Sequence, residues 1–387
     1  MSRESVELGE LIFPAKVIRC GRDEYPVFSM TMHDGIVEQK TRFKKDLASK
    51  DQSNYKVVKP GQLVVGFPID EGVLYIQQLG KKGIMSPAYN IWDVNQEKVY
   101  PEFLELALHS PQSMSWYKAK LRGTTARRRN IPARDLIKLR ICLPKKSVQR
   151  RIVDTFQQIN GELSFFVSLN EKLDDLVKSR FMEMFGDPES NSKNWQIKLL
   201  GEVCNTRLGK MLDKKKQSGT KLYPYLANAN VQWFYFDLDN LNMMDFDESD
   251  RAEFKLQEGD VLATEGGDVG RCAVWHCEVE ECFFQKAIHR IRCHRDVLIP
   301  DYFVWAFKMK ADLGLFEPYT SQSTIAHLTG KKIKQVPIQI PPLALQHEFA
   351  DFVRQVDKLK FETQQSIEKL QMLYDSLAQE YFAPEGD

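Results

Sequence analysis

No stretch of the 387 residues approaches the roughly 18 to 20 consecutive apolar residues that a membrane-crossing helix needs. The opening Met1-Ser2-Arg3-Glu4-Ser5 leads into no apolar segment, so no secretory signal is expected. Cysteine is scarce and odd in number: there are seven, with no Cys-x-x-Cys pair. That speaks against a disulfide framework and fits a reducing compartment, so a cytoplasmic protein is expected. No Gly-x-x-x-x-Gly-Lys-Ser/Thr loop is present, which excludes the usual ATP cradle. No Asn/Asp-Pro-Pro-Tyr/Phe run is present either, of the kind that transfers a methyl group to a flipped base. The nearest glycine-rich candidate, Gly266-Gly267, reads as a turn rather than a cofactor loop.

Net charge is also nearly absent, at +1. Its distribution is uneven. Residues 1–145 hold 24 Lys/Arg against 16 Asp/Glu, whereas residues 186–342 hold 20 against 22 and residues 343–387 hold 4 against 9. Local rather than global positive charge is what a phosphate-binding surface requires. Cys272, Cys277, Cys282 and Cys293 cluster with His276, His289 and His294 between them. Buried free thiols are the expectation and zinc the weaker alternative. On one strand, Cys272 and Cys277 would face opposite sides.

What is present is a duplication. Leu139-Arg140-Ile141-Cys142-Leu143-Pro144 returns as Val336-Pro337-Ile338-Gln339-Ile340-Pro341, at an offset of 197. The same offset carries Gln149 onto Gln346, Asp154 onto Asp351, Leu176 onto Leu373 and Phe185 onto Phe382. Upstream, at similar offsets, Leu8-Gly9-Glu10 matches Leu200-Gly201-Glu202 and Tyr25-Pro26-Val27 matches Tyr223-Pro224-Tyr225. Pro60-Gly61-Gln62-Leu63 likewise matches Glu258-Gly259-Asp260-Val261, and Tyr100-Pro101-Glu102-Phe103 matches Ile299-Pro300-Asp301-Tyr302. One globular unit followed by one helix therefore occurs twice.

Each helix carries a seam stepping by alternating threes and fours: Ile152, Phe156, Ile159, Leu163, Phe166, Asn170, Leu173, Val177, Arg180 and Met184 in the first. Phe349, Val353, Val356, Lys360, Thr363, Ile367, Leu370, Tyr374, Leu377 and Tyr381 form the second. This period near 3.5 is that of a coiled coil. Pro144 and Pro341-Pro342 block extension backwards, and Gly186-Asp187-Pro188 stops the first helix. At 1.5 Å per residue each helix spans about 50 to 60 Å. Two such helices bury their seams most economically on each other, antiparallel. Asn170, Lys360 and Thr363 sit in the seam, where a polar residue can fix register at a cost in stability. Leu63–Phe67, Val261–Thr264 and Ile288–Cys293 read as strands, and 101–109 and 300–310 as short helices begun by proline.

This pattern resembles the specificity subunits of type I restriction–modification systems, over nearly the whole chain. Ile84-Met85-Ser86-Pro87-Ala88-Tyr89 is similar to the family's "isPaY" segment. Arg122-Gly123-Thr124-Thr125-Ala126-Arg127, followed by the apolar Ile131, is similar to its Gly-Ser/Thr-Thr turn, and Thr320-Ser321-Gln322-Ser323-Thr324-Ile325 stands at that place in the second copy. Glu258-Gly259-Asp260-Val261-Leu262 and Gly266-Gly267-Asp268-Val269-Gly270-Arg271 resemble its "GDiL … g.iGr" run. Trp195 with Leu200-Gly201-Glu202 opens the second copy as in the family; the first copy lacks the tryptophan.

The resemblance implies an α+β chain: two mixed α/β target-recognition domains in pseudo-twofold arrangement, separated by an antiparallel pair of long coiled-coil helices. The expected divisions are a first recognition domain over 1–145, a helix over 146–186, a second recognition domain over 187–343 and a second helix over 344–383. It implies double-stranded DNA as ligand, no catalysis on this chain, and no membrane. Two modification (methyltransferase) subunits would dock on the long helices, with restriction/translocase subunits in the full complex. S-adenosylmethionine, ATP and Mg²⁺ would belong to those partners, leaving no cofactor here. The two copies differ in sequence, so the target should be asymmetric and bipartite. A strut of about 50 to 60 Å spans at most roughly 15 to 17 base pairs of unread gap.

Candidate DNA contacts in the first copy are Lys44, Lys45, Arg122, Thr124, Thr125, Arg127, Arg128 and Arg129. In the second they are Lys210, Lys214, Lys215, Lys216, Asn228, Asn230, Gln322, Ser323, Lys331 and Lys332. Lys/Arg would hold phosphates, and Arg, Asn, Gln, Ser and Thr in groove-facing loops would reach base edges. A solvated charged face competes with this for the lysines, and turn bonding competes for Asn228 and Asn230. Two other readings stand beside it. One is a stand-alone DNA-binding or scaffold protein, or a specificity subunit of another restriction class. The other is a nuclease built on Glu253-Phe254-Lys255 with Asp239 upstream, in a stretch that reads as a polar loop and has no counterpart in the first copy.

Overall fold

The computed structural model describes residues 4–32, 34–42, 51–121, 129–211, 219–320 and 327–383. The chain forms two compact units: Met1–Val167 with Gln364–Asp387, and Ser168–Thr363. Each unit holds half of each long helix, Lys146–Phe185 and Leu343–Phe382.

The first unit is built on an antiparallel sheet in the order Ile12–Pro14, Asn90–Val94, Leu63–Val65, Leu74–Ile76. The central strand is buried along its whole length, so Leu63-Val64-Val65 reads as an unbroken apolar run rather than an alternation. Helices Pro101–Leu108 and Pro111–Lys120 follow, each with proline in its first turn, where the missing N–H costs nothing. Ser110 caps the second of these, accepting from the Ser113 N–H. The edge strand Glu4–Glu7 pairs with Arg140–Leu143, just ahead of the first long helix.

The second unit repeats this plan. Its sheet runs Cys204–Leu208, Ile288–Cys293, Val261–Thr264, Cys272–Val274, the same order in the duplicated numbering. The edge ribbon is Gln196–Leu199 on Pro337–Ile340. The helix Pro300–Asp312 again starts on proline.

One buried glutamine per unit ties sheet, helix and ribbon together. Gln149, fully buried, donates from Nε2 to the carbonyls of Lys98 (3.1 Å) and Pro144 (2.9 Å), while its Oε1 accepts from the Tyr100 N–H (3.0 Å). Gln346 does the same, donating to Val297 (3.0 Å) and Pro341 (2.8 Å) and accepting from Ile299 (2.9 Å). Three backbone groups at a helix start and a loop end are satisfied by one side chain. Buried backbone groups must find partners, and here a side chain supplies them.

Within each unit the helix halves run antiparallel. In the first, Phe156 meets Tyr374 edge-on at 4.7 Å and packs with Phe382 at 6.1 Å. In the second, Phe181 and Phe185 pack on Phe349 at 5.5 and 5.4 Å, and Arg180 pairs with Glu348 at 2.8 Å. The seam positions Ile152, Phe156, Ile159, Leu173, Val177, Phe349, Val353 and Val356 are buried, as the three-and-four spacing requires. The polar seam residues divide. Lys360 reaches across to Asp174 (2.6 Å), Thr363 bonds back to the Leu359 carbonyl within its own helix, and the Asn170 Oδ1 is sealed from solvent without a partner among the described residues.

Two expectations change. Glu253 lies in the helix Glu248–Phe254 rather than a loop, because Asp247 caps it through the Asp250 N–H. Its carboxylate pairs with Arg207, and Lys255 pairs with Glu281, so the Glu-x-Lys residues are spent on ion pairs. Of the cysteine cluster, Cys272, Cys282 and Cys293 are buried, but Cys277 is exposed, on a turn at φ +60°. Burial pushes the Cys282 thiol up to about 12. Among the described residues no three metal-capable side chains meet. Among them, too, no helix is long and apolar enough to cross a membrane.

Candidate nucleic-acid interface

Lys44, Lys45, Arg122, Thr124, Thr125, Arg127, Arg128, Lys214, Lys215, Lys216, Gln322 and Ser323 lie outside the described residues. What the structure describes is how the segments that carry them are anchored. In the second unit the loops after two strands converge. Asn228, following the strand Leu222–Leu226, donates from Nδ2 to the Gly266 carbonyl (3.0 Å), in the turn after Val261–Thr264. Arg271, across that turn, donates to the Asn228 carbonyl (3.2 Å) and Oδ1 (3.3 Å). His327 joins Gly266 in a β-bridge, and the Leu328 N–H donates to the Glu265 carbonyl (2.7 Å). Lys332 donates to the Thr320 carbonyl (2.6 Å), so both ends of the 321–326 segment are held on this cluster.

The 212–218 segment is gripped similarly. Lys210 pairs with Asp250 and donates to the Asp245 carbonyl (2.7 Å). Gly219 and Lys221 then donate their N–H groups to the Asp245 carboxylate, both at 2.8 Å. Lys210 also lies 4.9 Å from the Phe246 ring centre, a cation–π contact.

The first unit answers with a different device at the equivalent place. The turn after Leu63–Val65, residues 66–72, accepts the chain end of the 122–128 segment: the Ile69 N–H donates to the Arg129 carbonyl (3.1 Å). The Arg129 guanidinium forks onto Asp70 (2.9 Å) and Glu71 (2.5 Å). Those hydrogen bonds occupy it where the sequence suggested a phosphate contact.

Of the described candidates, Arg129, Lys210 and Lys332 thus have their charged ends on protein acceptors. Asn230 is buried, its amide closing a turn to the Ala227 N–H and the Asp237 carbonyl, both at 2.8 Å. Asn228 bridges two loops. Lys331 is exposed and carries no ion pair among the described residues. Lys286 was not singled out from the sequence. It is exposed, and its N–H donates to the Lys210 carbonyl (2.9 Å). The signal for it was weak: one lysine between Gln285 and Ala287, in a turn before a strand.

His289 marks the floor of this loop cluster. It is fully buried; Nε2 donates to the Leu328 carbonyl (2.8 Å) and Nδ1 has no partner among the described residues. Burial holds its pKa below the ordinary histidine value.

Residues 192–372 match the family model of the type I restriction modification DNA specificity domain. Two solved proteins share the fold along nearly their whole length. One comes from work on complex assembly and conformational transition of the type I R-M system; it is 17% identical, with 98% of this chain and 97% of that one covered and a TM-score of 0.64. The other is the type I restriction-modification system S subunit from M. genitalium, 15% identical, with 100% and 97% covered and a TM-score of 0.55. Residues 192–372 are thus similar to the type I restriction modification DNA specificity domain, and the chain as a whole shares the fold of these two solved proteins.

Proposed function

We propose that this chain is the specificity subunit of a type I restriction–modification complex, reading an asymmetric bipartite DNA target. The observation that carries this is the repetition of one sheet-and-helix framework with unlike loop anchors. A shared framework presents two modules in the same manner, and unlike loops let them read unlike half-sites. Phosphate contact falls to exposed cations such as Lys331 and Lys286 and to the lysines and arginines of 43–50, 122–128 and 212–218. Arg129, Lys210 and Lys332 hold those segments in place. In this reading the chain is not itself an enzyme. Methylation and cleavage, with S-adenosylmethionine, ATP and Mg²⁺, belong to partner subunits in the cytoplasm.

The long helices supply the docking surface for two modification subunits. Leu176 and its repeat-equivalent Leu373 are both about half exposed, and Phe165, Phe361 and Met372 are more so. Such exposed apolar groups on a helix favour partner contact over solvent. The gap between half-sites is set by helix length.

The test is methylation mapping of the host genome with and without this gene. One asymmetric two-part motif should vanish with the gene. Loss of no motif, or of a continuous one, would refute the proposal. Inserting four residues, about one helical turn, in either long helix should change the gap length of the motif and leave both half-sites intact.

A further inference from the structure

The second unit contains a cavity of about 250 Å³ whose lining includes none of Asn228, Gly266, Arg271 or His327. Its walls are largely apolar: Pro188 from the chain leaving the first long helix, Ile197 from the edge ribbon and Val336 just ahead of it, and Leu315, Pro318 and Tyr319 from the stretch after helix Pro300–Asp312. On one wall is Lys310, near the end of that helix and only 6% exposed. Its ammonium makes no hydrogen bond or ion pair with any described residue, yet is not sealed off, and so opens onto the cavity. A buried ammonium without a partner is costly, and burial lowers the Lys310 pKa. The carboxylate that influences it, Asp187, forms no ion pair with it and is engaged by the Glu189 N–H (2.8 Å) and the Ser190 hydroxyl (3.0 Å).

The lysine is not needed by the shared framework. The equivalent helix of the first unit, Pro101–Leu108, contains no lysine. The lining amides are engaged within the protein. Gln339 donates to the Asp187 and Pro188 carbonyls (3.4 and 3.3 Å), and Asn191 to the Trp195 carbonyl (2.9 Å). One cation among apolar walls suits a single negative charge on an apolar body, and Glu189, also in the lining, repels any further negative charge. They do not suit a phosphate monoester or orthophosphate, whose nearly two negative charges would meet Glu189 and Asp187 with no second cation. The volume exceeds the roughly 150 Å³ of a dry cavity that holds benzene.

We propose that this cavity binds an organic monocarboxylate with an apolar body, its carboxylate paired with Lys310. The inference is independent of the DNA-reading proposal. The carboxylate has two potential sources, a free aromatic or branched acid and the C-terminus of a polypeptide ending in an apolar residue; the chemistry is the same.

Calorimetric titration of the full chain with benzoate, neutral benzamide, orthophosphate and an acetylated dipeptide ending in leucine tests this. Benzoate or the dipeptide should bind at least about tenfold more tightly than benzamide, the worth of one charge-assisted bond. Lys310→Met should remove that preference, and Lys310→Gln should do the same should the methionine variant fold poorly. The tighter of benzoate and dipeptide identifies the source. The proposal is overturned by equal binding of benzoate and benzamide, by a preference that survives both variants, by displacement with orthophosphate, or by no binding of either carboxylate at millimolar concentration.

Discussion

The two units differ least where backbone groups must be satisfied and most where a segment is suspended between two fixed ends. Gln149 and Gln346 make the same three hydrogen bonds, within 0.1 Å of one another in length. The Gly61 and Gly259 N–H groups donate to Gln77 and Trp275 at the same 2.8 Å, both glycines at φ near +80° where a side chain would be strained. At the turn after the central strand, by contrast, one unit uses an arginine forked onto two carboxylates and the other a web of Asn228, Gly266, Arg271 and His327. The framework is thus constrained by obligatory polar satisfaction, which admits few solutions. Anchoring a loop end admits many, and duplication has left them free to diverge.

The largest effect should come from breaking the part held in common. Gln149→Leu strands an N–H and two carbonyls in the interior, and Gln346→Leu strands their counterparts. At about 1 to 3 kcal/mol per unsatisfied buried group, with some relaxation, each should cost on the order of 3 kcal/mol. Urea denaturation of each variant measures this. Near-equal losses support two copies of one framework, whereas a difference above about 1.4 kcal/mol, tenfold in the folding equilibrium, breaks the equivalence.

The repeated framework was legible because its markers are ones physics cannot vary. Glycines at positive φ, prolines at helix starts, the buried glutamine and the seam spacing recur at offsets of 197 to 199. The offset of 197 paired Gln149 with Gln346 before any contact was known, though not what they do, since three backbone partners from separate loops leave no local pattern. Antiparallel helix pairing was legible from two seams that each needed a partner. The candidate interface was less so. A lysine or arginine reads the same in sequence whether it meets phosphate or carboxylate. Arg129 looked like the end of a basic run, and Asp70 and Glu71, more than 50 residues away, turned it inward. Lys210 was met by the Asp250 carboxylate in the same manner, with the Asp245 backbone carbonyl beside it. Cys277 looked like its cluster mates, but a turn at positive φ put it outside.

A middle-sized effect separates anchoring cations from reading ones. Lys331→Ala should reduce the slope of log binding constant against log salt by about 0.9, the share of one phosphate contact on duplex DNA. Arg129→Ala should instead weaken binding with the slope unchanged, because what it loses is the grip on Asp70 and Glu71 rather than a phosphate. Filter-binding or fluorescence titrations at several salt concentrations distinguish them. A flattened slope for Arg129→Ala would return it to the DNA surface and remove the contrast drawn between the two anchors.

The smallest effect is acid sensitivity confined to one unit. His289 is buried neutral, with Nε2–H on Leu328 and no partner for Nδ1 among the described residues, so a second proton would gain no bond from them. Its folded pKa lies below the unfolded value of about 6.5. As pH falls through that unfolded value the denatured chain takes up a proton that the folded chain refuses, so stability is lost on the acid side and unaffected above it. The first unit has asparagine at the matching strand position, Asn90, paired with Val65 as His289 is paired with Ala263, and carries no such burden. Denaturation followed through probes in each unit should therefore show the second unit weakening first between about pH 7 and 5.5. His289→Gln, which retains a donor for Leu328 and does not titrate, should bring the two units back into step. If they part company in acid with glutamine in place, the asymmetry belongs to the many surface carboxylates and not to the floor of the loop cluster.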